Sequence, residues 1–318
     1  MSRAALHRTV DARVWGALLT IYVVWGSTFA AIDLAVRTVP PFLAMSVRHL
    51  VAGAILFAWG VLRSPGERIG PRQVAAAAIF GGALFLGSHG LLAWSQQRIP
   101  SGVAALVVAS IPLWMAVFDR VVFGKRLSVR AVAGLAVGFG GVAVLADPGG
   151  SDIETVGVVV ALVSAASWAA GSLYSRGAPL PRAPITSAGL ASLAGGALLL
   201  LVAALRGELG RVDTGAISGE SLFGVAYLIV VGSLVGLTAY VWLLRAAPTS
   251  LVATYAYANP VVAVLIGWAL LDEALSWRVL LAGAGIVAAV IMIVSARAPD
   301  RETGRALRAR RRPIPAED

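Results

Sequence analysis

The sequence contains no cysteine, and only 13% of its 318 residues are charged. The missing thiols exclude disulfides, thiolate metal sites and cysteine nucleophiles. A soluble domain would carry charge on roughly a quarter of its residues. Here 58% of the residues are hydrophobic and the mean hydropathy is +0.84, so long apolar runs dominate the chain. This composition excludes a water-soluble fold and predicts an all-α integral membrane protein.

The sequence also lacks the clustered residues of a membrane-embedded enzyme. It contains three histidines, one of them in the N-terminal tail, and neither an HExxH nor a GxSxG motif. We therefore predict that the chain is not an enzyme and binds neither a cofactor nor a metal. No small-residue cleavage site follows the N-terminal stretch, so the first apolar run is predicted to be a membrane span and not a cleaved signal peptide.

Ten apolar runs are long enough to cross a bilayer, whose hydrocarbon core of about 30 Å needs roughly 20 helical residues. Turn and helix-end residues, such as the prolines at 40–41 and the glycines at 149–150, separate the runs. The predicted spans are 14–36, 41–62, 73–95, 101–123, 129–146, 155–175, 184–205, 221–244, 249–271 and 277–296.

The second half of the chain repeats landmarks of the first at a constant offset, which is 148 residues from Pro100 to Pro248. Each half holds five spans, and because five is odd the halves must cross the membrane in opposite senses. We predict two inverted five-helix repeats, at 14–146 and 155–296, with an N-terminal tail at 1–13 and a basic tail at 297–318. The matched landmarks are Trp94 with Trp242, Pro100 with Pro248, Pro112 with Pro260, and Arg130 with Arg278.

Most of the 26 Lys and Arg residues fall on one side of these spans if the N-terminus is cytoplasmic, which is the arrangement that the positive-inside rule favours. Both termini are therefore predicted to be cytoplasmic. The basic tail at 297–318 is interpreted as a disordered topology anchor, or alternatively as a contact for anionic lipid headgroups. The placement of the positive charge disfavours nucleic-acid binding.

Several short motifs resemble the EamA branch of the drug/metabolite transporter (DMT) superfamily. They are Trp25-Gly26-Ser27 with Arg48 in the next span, Ala258-Asn259-Pro260, and the turn Leu271-Asp272-Glu273. In the first half, Lys125 stands where that family usually has Glu. The resemblance implies an inverted-repeat bundle in a bacterial cytoplasmic membrane, with a central cavity lined by spans 1, 3, 4, 6, 8 and 9. It does not imply a particular substrate.

Two prolines, Pro112 and Pro260, lie in the middle of spans 4 and 9. A proline there removes an intrahelical hydrogen bond, so we interpret both as gating bends, or alternatively as packing kinks. Polar and aromatic side chains at helical spacing are predicted to line the cavity, with plain helix packing as the alternative. These predicted cavity-lining residues are Trp25, Ser27, Arg48, His89, Ser110, Trp114, Trp168, Ser172, Trp242, Tyr255 and Asn259.

Three ionisable residues, Asp33, Arg48 and His89, lie within predicted spans, where a charge is costly and by default functional. One interpretation pairs Arg48 with Asp33. The other places Arg48 or His89 beside a substrate carboxylate or a transported proton, with Asp33 and His89 as coupling residues. No carboxylate lies in the middle of a predicted span, which disfavours the export of lipophilic cations.

The sequence thus favours a secondary transporter that exports a small metabolite, amino-acid-like or otherwise small and polar or aromatic, by alternating access. A lipid or lipid-linked sugar flippase of the same fold is the alternative, and a membrane-embedded enzyme is a more distant one. The expected partners are the small-molecule substrate and the bilayer, with the chain a monomer or a homodimer. Glycine patterns such as Gly134-x3-Gly138 predict close helix contact, either within the scaffold or at a dimer face.

Overall fold

The computed structural model describes residues 12–64, 66–124, 126–146, 153–247, 249–252 and 254–296, and every element of secondary structure within these ranges is helical. Lys125, residues 1–11 of the N-terminal tail and the basic tail at 297–318 lie outside the described residues. The interpretations of those two tails therefore stay predictions.

The helices follow the ten predicted spans closely, and the predicted ten-helix membrane fold is confirmed. Within the described ranges, nine helices have the length and hydropathy of a membrane span. The remaining span, which is the ninth along the chain, is divided into two helices, α9a and α9b. Helix α9b is apolar but shorter than the other nine spanning helices. The elements are α1 (Ala12–Val36), α2 (Pro41–Arg63), α3 (Pro71–Ser95), α4a (Ser101–Val108), α4b (Ile111–Phe123), α5 (Val129–Ala146), α6 (Thr155–Tyr174), α7 (Pro184–Leu205), α8 (Gly219–Tyr227, Leu228–Val235 and Gly236–Ala246), α9a (Thr249–Val252), α9b (Tyr255–Leu271) and α10 (Trp277–Ala296).

Proline defines the start of three of these helices. Pro41, Pro71 and Pro184 each occupy the first turn of their helix. A proline is tolerated there because the first backbone N–H groups of a helix have no partner inside it, and its fixed φ suits the helix. The sequence predicted the helix starts at Pro41 and Pro184, whereas it placed the start of α3 two residues too late, at 73.

Helices α2 and α7 form the most extensive helix pair of the bundle, because glycines let their backbones approach closely. A Cβ atom at Gly189 would lie 2.4 Å from the backbone nitrogen of Phe57, and one at Gly53 would lie 2.8 Å from that of Leu193. Ser46 adds a buried hydrogen bond across the seam, donating from Oγ to the carbonyl of Gly196 at 2.9 Å. Small residues and interhelical hydrogen bonds are the usual basis of close helix packing in lipid.

Each of these two helices is followed by a Gly-Glu pair whose glutamate caps the N-terminus of the other helix. The pairs are Gly66-Glu67 after α2 and Gly207-Glu208 after α7. After α2, Glu67 accepts hydrogen bonds from the backbone N–H groups of Arg182 and Ala183, directly before α7. After α7, Glu208 accepts one from Leu43 at 3.0 Å in the first turn of α2. A carboxylate at a helix N-terminus satisfies free donors and complements the helix dipole. Glu208 is buried, and this burial raises the pKa of its carboxyl above the ordinary value.

The main helix pairs of the bundle have counterparts when the two halves of the chain exchange places. Helix α2 packs on α7 and α5 packs on α10. Helix α1 of the first half packs on α8 and α9b of the second half. Its counterpart α6 packs on the corresponding elements of the first half, which are α3, α4a and α4b. This pattern and the reciprocal caps support the predicted two-fold relation of the halves, and the inversion of the repeats itself stays a prediction.

The glycines of span 5 lie at a contact inside the bundle. A Cβ atom at Gly134 would lie 3.2 Å from the carbonyl oxygen of Ala289, and one at Gly138 would lie 2.3 Å from Leu113 and 3.0 Å from the Ala289 side chain. Gly134 and Gly138 therefore belong to the α5–α10 scaffold, as one of the two sequence interpretations held.

The acid of the Leu-Asp-Glu turn acts as a helix cap between the two halves. Glu273, after α9b, accepts hydrogen bonds from the backbone N–H groups of Ser101 at 2.6 Å and Gly102 at 2.9 Å, where α4a begins. The preceding Asp272 has a left-handed backbone with φ of 54°, which turns the chain toward that helix end. Lys125, at the matching position of the first half, cannot supply an equivalent carboxylate.

Candidate functional site

Arg48 is a buried cation without a carboxylate partner among the described residues. It lies seven residues into α2, which is about 10 Å along the helix from its start, and it is 5% exposed. Its Nε donates a hydrogen bond to the hydroxyl of Ser233 on α8 at 3.2 Å, and that hydroxyl donates to the carbonyl of Leu228 at 2.9 Å. Within the part of the chain that the structure describes, Arg48 forms no ion pair.

The interpretation that pairs Arg48 with Asp33 is wrong. Asp33 accepts hydrogen bonds from Arg37, one turn further along α1, at 3.0 and 3.2 Å. Arg37 also forms an ion pair with Glu220 at 3.1 Å, and this arginine is exposed. Asp33 is therefore held at the rim of the bundle by a nearer cation, since an arginine four residues away on the same helix face reaches it directly.

His89 contacts a second histidine that the sequence analysis did not single out. The Nε2 atom of His49 lies 2.9 Å from the Nδ1 atom of His89, and the two rings stack with centroids 5.0 Å apart. Phe85 packs against His49 with ring centroids 4.2 Å apart, and Trp168 packs against His89 at 5.4 Å. The histidine pair therefore joins α2, α3 and α6. The sequence could have indicated His49 as a site residue, because it directly follows Arg48 within an apolar span.

Two π-helical stretches position these polar groups. One covers Gly82–Gly90 in α3 and carries His89, and the other covers Leu228–Val235 in α8 and carries Ser233. Spans 3 and 8 occupy equivalent places in the two predicted repeats. Because π-helical turns are rare and concentrate at functional sites, their presence in both spans favours a functional site where α3 and α8 pack on α2.

An aromatic cluster lies on the side of the bundle formed by α1, α8 and α9b. The Trp25 ring packs against Tyr240 and Tyr255, with ring centroids 5.2 and 5.1 Å apart. Ser27, two residues further along α1, shares a hydrogen bond of 2.7 Å with the hydroxyl of Tyr227. Of the predicted lining residues, Trp25 and Tyr255 are in contact, and Ser27 has a separate partner in Tyr227; Tyr227 and Tyr240 were missed.

Three predicted lining residues carry a buried polar atom that has no hydrogen-bond partner among the described residues. The Oδ1 atom of Asn259, the Nε1 atom of Trp114 and the Oγ atom of Ser110 are buried and unpaired among the described residues. The hydroxyl of Ser164 on α6 is unpaired as well. Such groups are rare in proteins, and each favours contact with a ligand or with water. Ser172 lies half-buried one turn beyond Trp168 on α6.

Trp242 does not join the site. Its side chain is 42% exposed. Tyr240, two residues earlier on α8, contacts Trp25. Two residues along an α-helix correspond to a rotation of about 200°, so Trp242 faces away from the bundle. The prediction that it lines the cavity with Tyr255 is not supported by this placement.

Pro112 and Pro260 lie in spans whose helices are broken, but only Pro112 lies directly at a break. Pro112 sits in the first turn of α4b, directly after a break between Val108 and Ile111. Pro260 lies inside α9b, and the break in that span falls before Tyr255. Broken helices inside a membrane are tolerated where protein or a water-filled cavity surrounds them. The interpretation of Pro112 and Pro260 as gating bends stays a prediction.

This bundle of apolar helices around buried polar and cationic groups defines a multi-pass membrane transporter. The model of the EamA-like transporter family matches residues 14–146 and 155–295. The chain therefore belongs to the EamA-like transporter family, within the DMT superfamily that the motifs resemble.

Relatives and a solved structure agree with this assignment. The chain is 36% identical over 88% of its length to the uncharacterized inner membrane transporter YedA of Escherichia coli K12, of which the match covers 90%. It is 28% identical, with the same coverage of both chains, to the uncharacterized transporter YvbV of Bacillus subtilis. One protein of known crystal structure matches with a TM-score of 0.59 and 26% identity, over 89% of this chain and 96% of its own.

Proposed function

We propose that this transporter exports a small, amino-acid-like metabolite by alternating access and that Arg48 binds the carboxylate of that metabolite. The observation that supports the proposal is a guanidinium that is 5% exposed and forms no ion pair among the described residues. A charge buried in a membrane protein is costly unless it is paired. A substrate carboxylate would supply the missing partner through charge-assisted hydrogen bonds.

Groups on α1, α8 and α9b suit the rest of such a molecule. Trp25, Tyr240 and Tyr255 offer an apolar and aromatic wall. On α9b, the Oδ1 atom of Asn259 has no hydrogen-bond partner among the described residues, and this acceptor suits a donor such as a substrate ammonium. A site with a few placed polar groups in aromatic surroundings is typical of small-molecule binding.

The two broken spans support alternating access. Each half of the chain contributes one of them, as α4a with α4b and α9a with α9b. In transporters built from inverted repeats, broken helices near the repeat interface surround the substrate, and equivalent motions of the halves open the site to either side. Both termini are placed in the cytoplasm in this proposal, as the loop charges predict.

Export from intact bacterial cells tests the proposed substrate class. Cells with and without the transporter are loaded with dipeptides that release single amino acids, and the amino acids that appear outside are measured over time. A matched second series uses dipeptides that release amino-acid amides, which lack the carboxylate. We expect the transporter to accelerate the efflux of at least one amino acid and not of its amide. Equal acceleration for an acid and its amide would contradict the role of Arg48.

A further inference from the structure

The contact between His49 and His89 can bind one additional proton. At a distance of 2.9 Å between Nε2 of His49 and Nδ1 of His89, one nitrogen carries a hydrogen and the other accepts it. One further proton converts the pair into a single imidazolium that donates the shared hydrogen bond to the neutral ring. A second proton would place hydrogens on both facing nitrogens and break this contact. Histidine is the side chain whose unperturbed charge changes near neutral pH.

Arg48 is the fixed charge that faces this pair. It directly precedes His49 on α2. On α8, which packs on α2, Glu220 is paired with Arg37, Tyr227 with Ser27, and Tyr240 packs on Trp25. On α2, α3 and α6, the helices that hold the pair, the other ionisable groups lie at distant helix ends, and α7 carries none. On α1, Asp33 is held by Arg37. Those other groups are Arg63 at the end of α2, Arg72 at the start of α3 and Tyr174 at the end of α6.

We propose that the pair formed by His49 and His89 is a proton site of this transporter, and that a proton there and a carboxylate on Arg48 bind cooperatively. The inference rests on the proposed binding of a carboxylate by Arg48. The positive charge of Arg48 opposes a second positive charge on the adjacent histidine, and a bound carboxylate removes most of that repulsion. By linkage, each ligand then raises the affinity for the other.

The sign of this coupling decides the direction of proton movement. Positive coupling favours the state with both ligands over either singly occupied state, so we expect that state to cross the membrane and to carry proton and carboxylate together. A proton exchanger would require the opposite relation, in which the two ligands compete for one group. The proposal therefore predicts co-transport in the same direction, so a proton gradient directed into the cell opposes export of the acid.

The proton site can be tested without knowing the substrate, because the Trp168 ring lies 5.4 Å from that of His89 and its fluorescence reports a charge there. The purified protein is titrated between about pH 5 and 8, and the signal of the Trp168→Phe variant is subtracted. A carboxylate is then tethered to Arg48 by Ser233→Asp, with Ser233→Asn as the uncharged control. Arg48→Gln removes the fixed charge directly and serves as a second route if Ser233→Asp does not fold.

We expect one transition in the wild type that is lost when both histidines are replaced, in His49→Gln/His89→Gln. Ser233→Asp and Arg48→Gln should move its midpoint upward by about one pH unit, since a nearby charge shifts a titration by roughly 1–3 units, whereas Ser233→Asn should not. A wild type without the transition, a transition that survives replacement of both histidines, or equal midpoints in Ser233→Asp and Ser233→Asn would each overturn the proposal. None of these results requires transport, so they are separate from a failure of the export experiment.

Discussion

Replacing Arg48 with glutamine is expected to weaken the binding of a carboxylate substrate about 10- to 150-fold. This range follows because hydrogen bonds to a charged group, which the variant loses, contribute roughly 1.5–3 kcal/mol. Thermal stability should stay the same or rise, because the substitution removes a buried charge that has no ion-pair partner among the described residues. The two readouts are the concentration dependence of transport, for an acid found in the export experiment, and thermal unfolding in detergent.

The matched control is Arg48→Lys, which keeps the charge but loses the planar, bidentate geometry of the guanidinium. Its affinity should lie between those of the wild type and Arg48→Gln. If Arg48 were only a structural residue, Arg48→Gln would instead unfold at a lower temperature, with the affinity of the remaining folded protein unchanged. That combination would contradict the assignment of Arg48 to the substrate.

The second large effect is expected at the seam between α2 and α7. In Gly189→Ala the new methyl group would lie 2.4 Å from the backbone nitrogen and 2.6 Å from the Cα atom of Phe57. Backbone atoms cannot move aside as a flexible side chain can, so the two helices must separate. We expect the variant to lose about 1–3 kcal/mol of stability or more, as overpacked sites do. Thermal unfolding and the yield of monodisperse protein measure this loss.

Gly16→Ala is the control for this substitution. Gly16 occupies the fifth position of α1, as Gly189 occupies a similar early position in α7, and no atom lies within 4 Å of a Cβ built there. Alanine favours a helix over glycine by up to about 1 kcal/mol, so this variant should be as stable as the wild type or more so. Equal stabilities for the two variants would show that α2 and α7 are not packed as closely as described.

The membrane spans could be predicted from the sequence because a bilayer imposes a length and an apolar composition on each helix. Prolines such as Pro41 and Pro184 then fixed where helices start. The break between α9a and α9b was not predicted, since the mid-span proline, Pro260, lies inside α9b. Hydropathy shows where a membrane span lies in the chain, but it does not show where the helix within that span is broken.

The site was harder to predict, because a helical period gives the spacing of side chains but not the direction that a face takes in the bundle. Trp242 illustrates this difficulty. The π-helical stretch Leu228–Val235 inserts extra residues per turn, and each rotates the helix beyond it by about 100° relative to a regular α-helix. His49 was missed for a related reason, since its partner His89 lies on another helix and no periodicity connects the two.

Alternating access to the site can be measured directly, because the chain contains no cysteine and a single one can be introduced without background. In Ser27→Cys the thiol replaces a half-buried hydroxyl beside Tyr227. The variant is treated with a membrane-impermeant thiol reagent in right-side-out and in inverted vesicles, with Arg37→Cys at the exposed rim and Leu201→Cys on the outer face of α7 as controls. The account predicts labelling of Ser27→Cys from both sides, of Arg37→Cys from one side, and of Leu201→Cys from neither. Labelling of Ser27→Cys from one side only, or from neither, would contradict it.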